Sequence, residues 1–435
     1  MLELGYLSFP VLLVMIFLRA PIGLAMMICG MGGLYFAMGG ETMVLAKLKS
    51  ETYSTFSSYS LSIIPMFLLM GQFATLSGMS SALFKAAESW LGHRKGGVAM
   101  ASVGACAGFG AICGSSLATA ATMSRVALPE LRRYGYAGGF STATLAAGGT
   151  LGILIPPSVI LVIYAILTEQ NIAKLFLAAF VPGILAAVGY IITISIYVRK
   201  YPKAAGTREP APYAERMKAI FDVWPVLLIF GLVVGGIYLG WFTPTEGAAV
   251  GAAGTGVVAW ISGNLSWSVF KQCITSTAMS TAMIFFIVLG AGLYNSFLAL
   301  TQVPQELSNW IVSLGLSPWL VLALILSFYL VFGCLMDSLS MILLTVPIFF
   351  PVISALDFGM PIEHVAIWFG ILVLIVVEVG LITPPVGMNL FIINAIEHDT
   401  SILETYKAVI WFVGSDIIRV IILFLFPTIT LFLIP

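Results

Sequence analysis

Apolar runs long enough to cross a bilayer recur from one end of this chain to the other. They lie at about 5–18, 21–39, 61–78, 96–117, 138–167, 174–198, 220–240, 246–262, 274–300, 318–336, 362–395 and 402–433. A helix needs about 20 mostly apolar residues to cross a hydrocarbon core about 30 Å thick. In lipid every backbone N–H and C=O has to find its partner inside the protein, which a helix achieves within one segment. Composition agrees, with 60% hydrophobic and 9% charged residues among 435, where a soluble surface needs roughly 25–35% charge. The sequence therefore predicts an all-α polytopic membrane protein. That excludes a secreted enzyme, a nucleic-acid binder and a disordered chain.

The charges that remain are placed informatively. Lys and Arg number 19, as do Asp and Glu, so no basic excess invites nucleic acid. The most polar stretch is "RKYPKAAGTREPAPYAERMK", residues 199–218, with six basic side chains against Glu209 and Glu215. By the positive-inside rule it faces the cytoplasm, and Arg94–Lys95 and Arg132–Arg133 join it there. Two amphipathic pieces, 80–92 with Trp90 and 303–314 with Trp310, suit helices lying in the interface. The five cysteines form no C-x-x-C pair and read as small buried hydrophobes. The three histidines are too scattered to mark a metal site. The N-terminus lacks the basic region of a cleaved signal peptide, so the first apolar run is expected to stay.

The basic segment divides the chain near its middle, and the halves repeat. "GILIPPSVILVIYA" from Gly152 matches "GLITPPVGMNLFIINA" from Gly380, each with a Pro-Pro pair four residues after the Gly. Upstream, "GAICGSS" at 110–116 matches "GCLMDS" at 333–338, and "MFLLMG" ending at Gly71 matches "IFFIVLG" ending at Gly290. Three matches in one order point to two repeats, inverted if each crosses the membrane an odd number of times, the construction of many secondary transporters. The expected organisation is N-terminal scaffold helices at 1–60, a first repeat at 61–198 and the cytoplasmic loop at 199–218. Scaffold helices at 219–273, a second repeat at 274–398 and a C-terminal scaffold helix at 399–435 complete it.

Pro-Pro inside an apolar run is the sharpest chemical signal. Neither proline donates a backbone hydrogen bond, and the preceding residue is pushed out of the α region. Helices must break at 155–157 and 383–385. A break in hydrocarbon exposes backbone groups at a cost of several kcal/mol each unless protein, water or a ligand satisfies them. Free carbonyls at one half-helix end suit Na⁺, and free N–H groups at the next start suit a carboxylate. A single break reads as an ordinary kink; two at matching positions of a repeat favour a binding site.

The matching small and polar clusters are Gly110, Gly114, Ser115, Ser116, Thr119 and Thr122 in one half and Gly333, Asp337, Ser338 and Ser340 in the other. Small residues also serve plain helix packing, and that reading suits Gly104 and Gly108. Ser115–Ser116 and Asp337–Ser338 sit where a hairpin could turn back inside the membrane. Asp337, an ionisable residue in apolar surroundings, is a functional candidate by default: a Na⁺ ligand, or a partner for Arg125 or Lys174. Ser158 and Tyr164 past the first break, and Asn389 and Asn394 past the second, line a substrate cavity or bond between helices. In "GWFTPTEGAAVG" from Gly240, Thr243, Pro244 and Glu246 fit a capping box, which accounts for Glu246. Glu378, two residues before Gly380, is structural or paired with a charge elsewhere. No H-E-x-x-H, G-x-S-x-G or G-x-x-x-x-G-K-[ST] occurs, so uphill transport needs an ion gradient or a partner.

Together "GFGAICGSS" (108–116), "LGILIPPS" (151–158), "TPTEGAA" (243–249), "GCLMDS" (333–338) and "GLITPPVGMN" (380–389) resemble the large membrane subunit of TRAP transporters, the tripartite ATP-independent periplasmic carriers. The resemblance covers essentially the whole chain. Its one departure, Gly247 where Ala is expected, touches only a helix start.

The resemblance implies an elevator-type transporter in a bacterial or archaeal inner membrane: a scaffold, and a transport domain of two re-entrant hairpins and two broken helices. It implies import of a C4-dicarboxylate, keto acid or sialic acid type of substrate with Na⁺ in two or more sites and no organic cofactor. Its implied partners are a small four-helix membrane subunit, here a separate chain, and a periplasmic substrate-binding protein. Carried onto this sequence, the hairpins turn at 114–116 and near 337–338. One Na⁺ site uses Ser60, Gly110, Ser115, Gly152 and Pro156, and the other uses Gly333, Asp337, Gly380, Thr383 and Val386. Substrate contacts fall to Ser116, Thr119, Ser158, Ser338, Asn389 and Asn394. The competing readings are a standalone Na⁺- or H⁺-coupled organic anion carrier, a channel and a membrane-embedded enzyme.

Overall fold

In the computed structural model, which describes residues 1–434, the only regular elements among the described residues are helices. α1 (Leu2–Phe17), α2 (Ile22–Met38) and α3 (Glu41–Ser57) open the chain, and a 3₁₀ turn at Ser60–Ser62 leads into α4 (Ile63–Leu76) with a 57° bend. α5 (Met79–Leu91) is the first amphipathic piece; it buries Leu83 and Phe84 and exposes Lys85. α6 (Gly97–Cys113) and α7 (Ser116–Arg133) are separated by Gly114 and Ser115 alone and pack against each other. At 1.5 Å per residue α6 is about 25 Å long, short of the hydrocarbon thickness.

α8 (Gly138–Leu154) and α9 (Val159–Thr168) are one span bent by 44° at the first Pro-Pro pair. α10 (Ile172–Lys200) carries the chain out to the basic segment. That segment is a loop only in part, because α11 (Tyr213–Tyr238) already includes its last residues. α12 (Pro244–Ile261) begins with the expected capping box, Thr243 Oγ1 accepting from Glu246 N and Glu246 accepting from Thr243 N. A Cβ on Gly247 would lie 2.9 Å from Ile237, so the glycine lets α12 approach α11.

The second half repeats the order. α13 (Trp267–Thr301) and amphipathic α14 (Val303–Ser313) precede a hairpin of α15 (Pro318–Gly333) and α16 (Ser338–Ser354). α17 (Ile362–Gly380) and α18 (Met388–Ile396) form the second broken helix, followed by α19 (Ile402–Leu425) and α20 (Pro427–Leu431). The apolar run 402–433 is thus not one helix. Pro427 supplies no N–H and forces Phe426 to φ −124°, ψ 75°.

The core is built on the two helices that lead into the breaks. α8 is buried without interruption from Gly139 to Leu154, and α17 from Val365 to Gly380. Helices buried all round must be enclosed by others: α6, α7, α10 and α19 pack on α8, and α15, α16, α10 and α19 on α17. The repeats also interlock, since α7 packs on α18 and α16 on α9. The basic segment straps hairpin to amphipathic helix: Ala137 N donates to Ala204 O at 3.0 Å, Arg208 N donates to Gly92 O at 3.0 Å, and the Arg208 guanidinium pairs with Glu88 at 3.5 Å and Glu215 at 2.8 Å.

Candidate functional site

In the first half the chain reverses through Gly114, whose left-handed φ of 64° a side chain would disfavour, while Ser115 caps α7 by accepting from Ala118 N. α8 stops at Leu154, Ile155 turns extended, the Pro156–Pro157 bond is cis, and Ser158 caps α9 by accepting from Leu161 N. The two interruptions meet. A Cβ on Gly110 would lie 2.9 Å from Gly152 N, one on Gly152 would lie 2.8 Å from Ser115 O and collide with the Thr119 hydroxyl, and one on Gly114 would lie 3.1 Å from Pro157 O. The Ser115 carbonyl and Thr119 Oγ1 therefore meet at Gly152, the Pro157 carbonyl faces Gly114, and Thr119 Oγ1 is buried without a hydrogen-bond partner.

The second half uses the same construction with a carboxylate added. Asp337 caps α16: Oδ2 accepts from Ser340 N at 3.0 Å and Oδ1 from the Ser340 hydroxyl at 2.6 Å. α17 ends at Gly380, and Thr383 folds back, its hydroxyl donating to Val379 O at 2.6 Å. The Pro384–Pro385 bond is cis. Gly387 N donates to Cys334 O at 3.4 Å, fastening the break to the hairpin, and Asn389 N donates to Leu381 O at 3.1 Å, closing the break on itself. Gly380 and Gly333 touch through their backbones, as Gly152 and Gly110 do.

Each half thus brings two helix C-termini and two helix N-termini to one place. C-terminal carbonyls carry partial negative charge and suit a hard cation; N-terminal N–H groups suit an anion. A Na⁺ ion fits this donor set, because the converging groups are carbonyl, hydroxyl and carboxylate oxygens. Gly110, Ser115, Gly152 and Pro156 sit at the first junction, and Gly333, Asp337, Gly380 and Thr383 at the second. Val386 is close by, with its carbonyl accepting from Tyr406 at 3.2 Å. Ser60 is not brought in. It lies exposed on the 3₁₀ turn, and the α4 residue against Cys113 is Gly71, about three helical turns on.

Neither basic candidate pairs with Asp337: Lys174 pairs with Glu363 at 2.5 Å, and Arg125 is exposed on α7. Among the proposed substrate contacts, the Asn389 amide donates to Ala146 O at 3.3 Å and keeps a buried Oδ1 without a partner. Asn394 Oδ1 is likewise unpartnered on α18. Ser116 and Ser338 begin α7 and α16, and both hydroxyls donate to Glu378. Tyr164, by contrast, donates to Ala366 O at 2.6 Å and is an interhelical tie.

Comparison with known proteins fits this double junction. Residues 9–429 match the family model described as "Tripartite ATP-independent periplasmic transporter, DctM component". The chain belongs to this family. A C4-dicarboxylate TRAP transporter large permease protein of Pseudomonas aeruginosa is 38% identical over 80% of each chain. Its counterpart in Vibrio cholerae is 29% identical over 98% of this chain and 96% of that one. The YdaH transporter of Alcanivorax borkumensis, whose crystal structure has an unusual topology, shares the fold at a TM-score of 0.61 and 13% identity, over 88% of this chain and 89% of that one. As a TRAP large membrane subunit, the chain is a multi-pass membrane component of a transporter.

Two features of this DctM-family chain escaped sequence reasoning. Glu378, left there between two readings, is fully buried and receives Ser338 at 2.6 Å and Ser116 at 3.5 Å on Oε1. Asp416 and Arg419, an acid and a base three residues apart in an apolar run, pair at 2.8 Å on α19. Tyr190 donates to Asp416 Oδ2 at 2.8 Å and bonds Thr150 at 2.9 Å, carrying the network through α10 to α8. The signal for both was a charged side chain inside a membrane-length run.

Proposed function

We propose that this subunit imports a small organic acid, of C4-dicarboxylate, keto acid or sialic acid type, by Na⁺ symport in the inner membrane. Substrate arrives from a periplasmic binding protein, and a small four-helix membrane subunit completes the membrane complex. The observation that carries the reading is the pairing of hairpin tip with broken helix, twice, through Gly110–Gly152 and Gly333–Gly380. Relatives named for C4-dicarboxylate and sialic acid transport support the substrate class.

Na⁺ is a co-substrate here. One ion is held near Gly110, Ser115, Gly152 and Pro156; another near Gly333, Asp337, Gly380, Thr383 and Val386. Ions at both junctions order the tips. The N-terminal N–H groups of α7 and α16, with Thr119, Asn389 and Asn394, then meet the substrate carboxylate, while Ser116, Ser158 and Ser338 hold the tips in shape. Substrate adds to the Na⁺-loaded state, so coupling is a difference in affinity between states. The transport domain, hairpins and broken helices together, moves against the scaffold as an elevator, with residues 199–218 on the cytoplasmic side.

The deciding experiment is uptake into proteoliposomes holding this chain and its small subunit under an inward Na⁺ gradient, with and without the binding protein. Uptake of a C4-dicarboxylate, keto acid or sialic acid that needs both supports the proposal. Uptake without the binding protein replaces it with a standalone carrier. Flux that does not saturate replaces it with a channel.

A further inference from the structure

The repeat is symmetric at the hairpin tips and asymmetric at the residue between them. Ser116 and Ser338 are equivalent, each the first residue of the hairpin's second arm. Two residues before the core-helix glycine that touches each hairpin, Gly152 and Gly380, however, the first repeat has Thr150 and the second has Glu378. Thr150 turns outward to Tyr190. Glu378 receives hydroxyls from both hairpins on a single oxygen, Ser338 at 2.6 Å and Ser116 at 3.5 Å, while its Oε2 is buried with no partner.

We propose that Glu378 is a positioning residue that couples the two hairpin tips, so that ordering or releasing one carries the other with it. Its place in transport rests on the function proposed above; the linkage itself does not. The physical basis is that a buried carboxyl oxygen without a donor is costly. If Ser338 leaves, Oε1 keeps only the longer contact to Ser116. If both serines leave, the group is stranded in an apolar core. The tips are thus held most firmly together, and a ligand that orders one lowers the cost of ordering the other, which is the definition of coupled sites. The shorter bond makes hairpin 2 the stronger lever.

The chain carries its own reporters. Cys113 precedes the first tip and Cys334 the second, and both are buried. Labelling with a small thiol reagent, quantified for each cysteine by peptide mass spectrometry, reads how often each tip opens. Without Na⁺, Ser338→Ala is expected to raise labelling at Cys334 and at Cys113 alike, by a few-fold to about tenfold for one lost hydrogen bond. Ser116→Ala raises both by less. Glu378→Gln, which keeps a carbonyl acceptor, leaves the two rates moving together, whereas Glu378→Leu makes them independent. A Ser338→Ala protein in which Cys334 alone responds, or neither cysteine does, overturns the proposal. Should Glu378→Leu fail to fold, the serine variants decide. Protection of wild-type cysteines by Na⁺ is read separately, so failure of the cation sites and failure of the coupling give different results.

Discussion

Gly380 and Gly333 approach so closely that a Cβ on Gly380 would stand 2.5 Å from the carbonyl carbon of Gly333. Neither neighbour is a flexible side chain, so the added methyl can be accommodated only by separating the broken helix from the hairpin. Overpacking of this kind costs about 1–3 kcal/mol. Gly380→Ala is therefore expected to lower the melting temperature and to abolish Na⁺-dependent uptake. Gly104→Ala, inside α6 of the first hairpin with open space around it, should leave both unchanged. Equal effects of the two would mean that the helix backbone, and not the junction, is sensitive to alanine.

Asp337 combines two roles that one substitution separates. It caps α16 through both carboxylate oxygens, and it places a formal charge at the second junction. Asn caps about as well as Asp. Asp337→Asn should assemble normally while the Na⁺ concentration for half-maximal uptake rises about tenfold or more, the cost of removing a charged ligand. Asp337→Ala should add a loss of stability of about 1 kcal/mol. Normal Na⁺ dependence in Asp337→Asn would remove Asp337 from the cation site. Thr383→Ala, which deletes the hydroxyl that donates to Val379 O, serves as the companion test with the same expected split.

Thr119 offers the reverse contrast. Its hydroxyl is buried, unpartnered and beside Gly152. Replacing an unsatisfied hydroxyl by a methyl of the same shape is neutral to stabilising. Thr119→Val is thus expected to melt at or above the wild-type temperature and yet to raise the KM for substrate or the Na⁺ requirement. A variant that transports normally would show the hydroxyl to be a packing feature.

The sequence made the junctions legible because proline and glycine act locally. Two prolines remove donors, and a repeat then says which break matches which. Thr243 as a cap follows from a short-range rule too, whereas the caps at Ser115, Ser158 and Asp337 emerged only in the structure. Glu378 was not legible in the same way, since its partners lie on other helices; Asp416 and Arg419 pair within α19, but the tyrosine that ties them to α10 is far away in sequence. Ser116 is 262 positions from Glu378 and Tyr190 is 226 from Asp416. Ser60 came from a stretch crowded with serines, and sequence spacing alone does not show that the α4 residue against the end of α6 is Gly71.

The Asp416–Arg419 pair is enclosed by α8, α10 and α17, with both side chains almost wholly buried. Arg419 Nε and Nη1 have no hydrogen-bond partner. Breaking a buried pair leaves an uncompensated charge and costs about 3–5 kcal/mol, whereas replacing both members by apolar residues is often neutral. Arg419→Met alone is expected to impair folding, and Asp416→Leu/Arg419→Met to recover most of it, as read by detergent-resistant melting and the monodisperse yield. A double variant as damaged as the single one would assign the pair a role beyond stability.

Glu88 gives a pH test away from the membrane core. It lies on amphipathic α5 with its side chain 7% exposed, 3.5 Å from Arg208. Burial pushes its carboxyl above the ordinary 4.5, and the Arg208 charge opposes that shift without cancelling it. A raised folded value means that folding favours the protonated form. The stabilising contribution is then complete below about 4.5 and is lost as pH rises through the raised value. Wild-type protein should lose melting temperature across that window, and Glu88→Gln should flatten this part of the slope. Arg208→Gln should steepen it, because the opposing charge is gone. If Glu88→Gln keeps the wild-type slope, the titrating group lies elsewhere and the strap formed by residues 204–208 carries no pH sensitivity of its own.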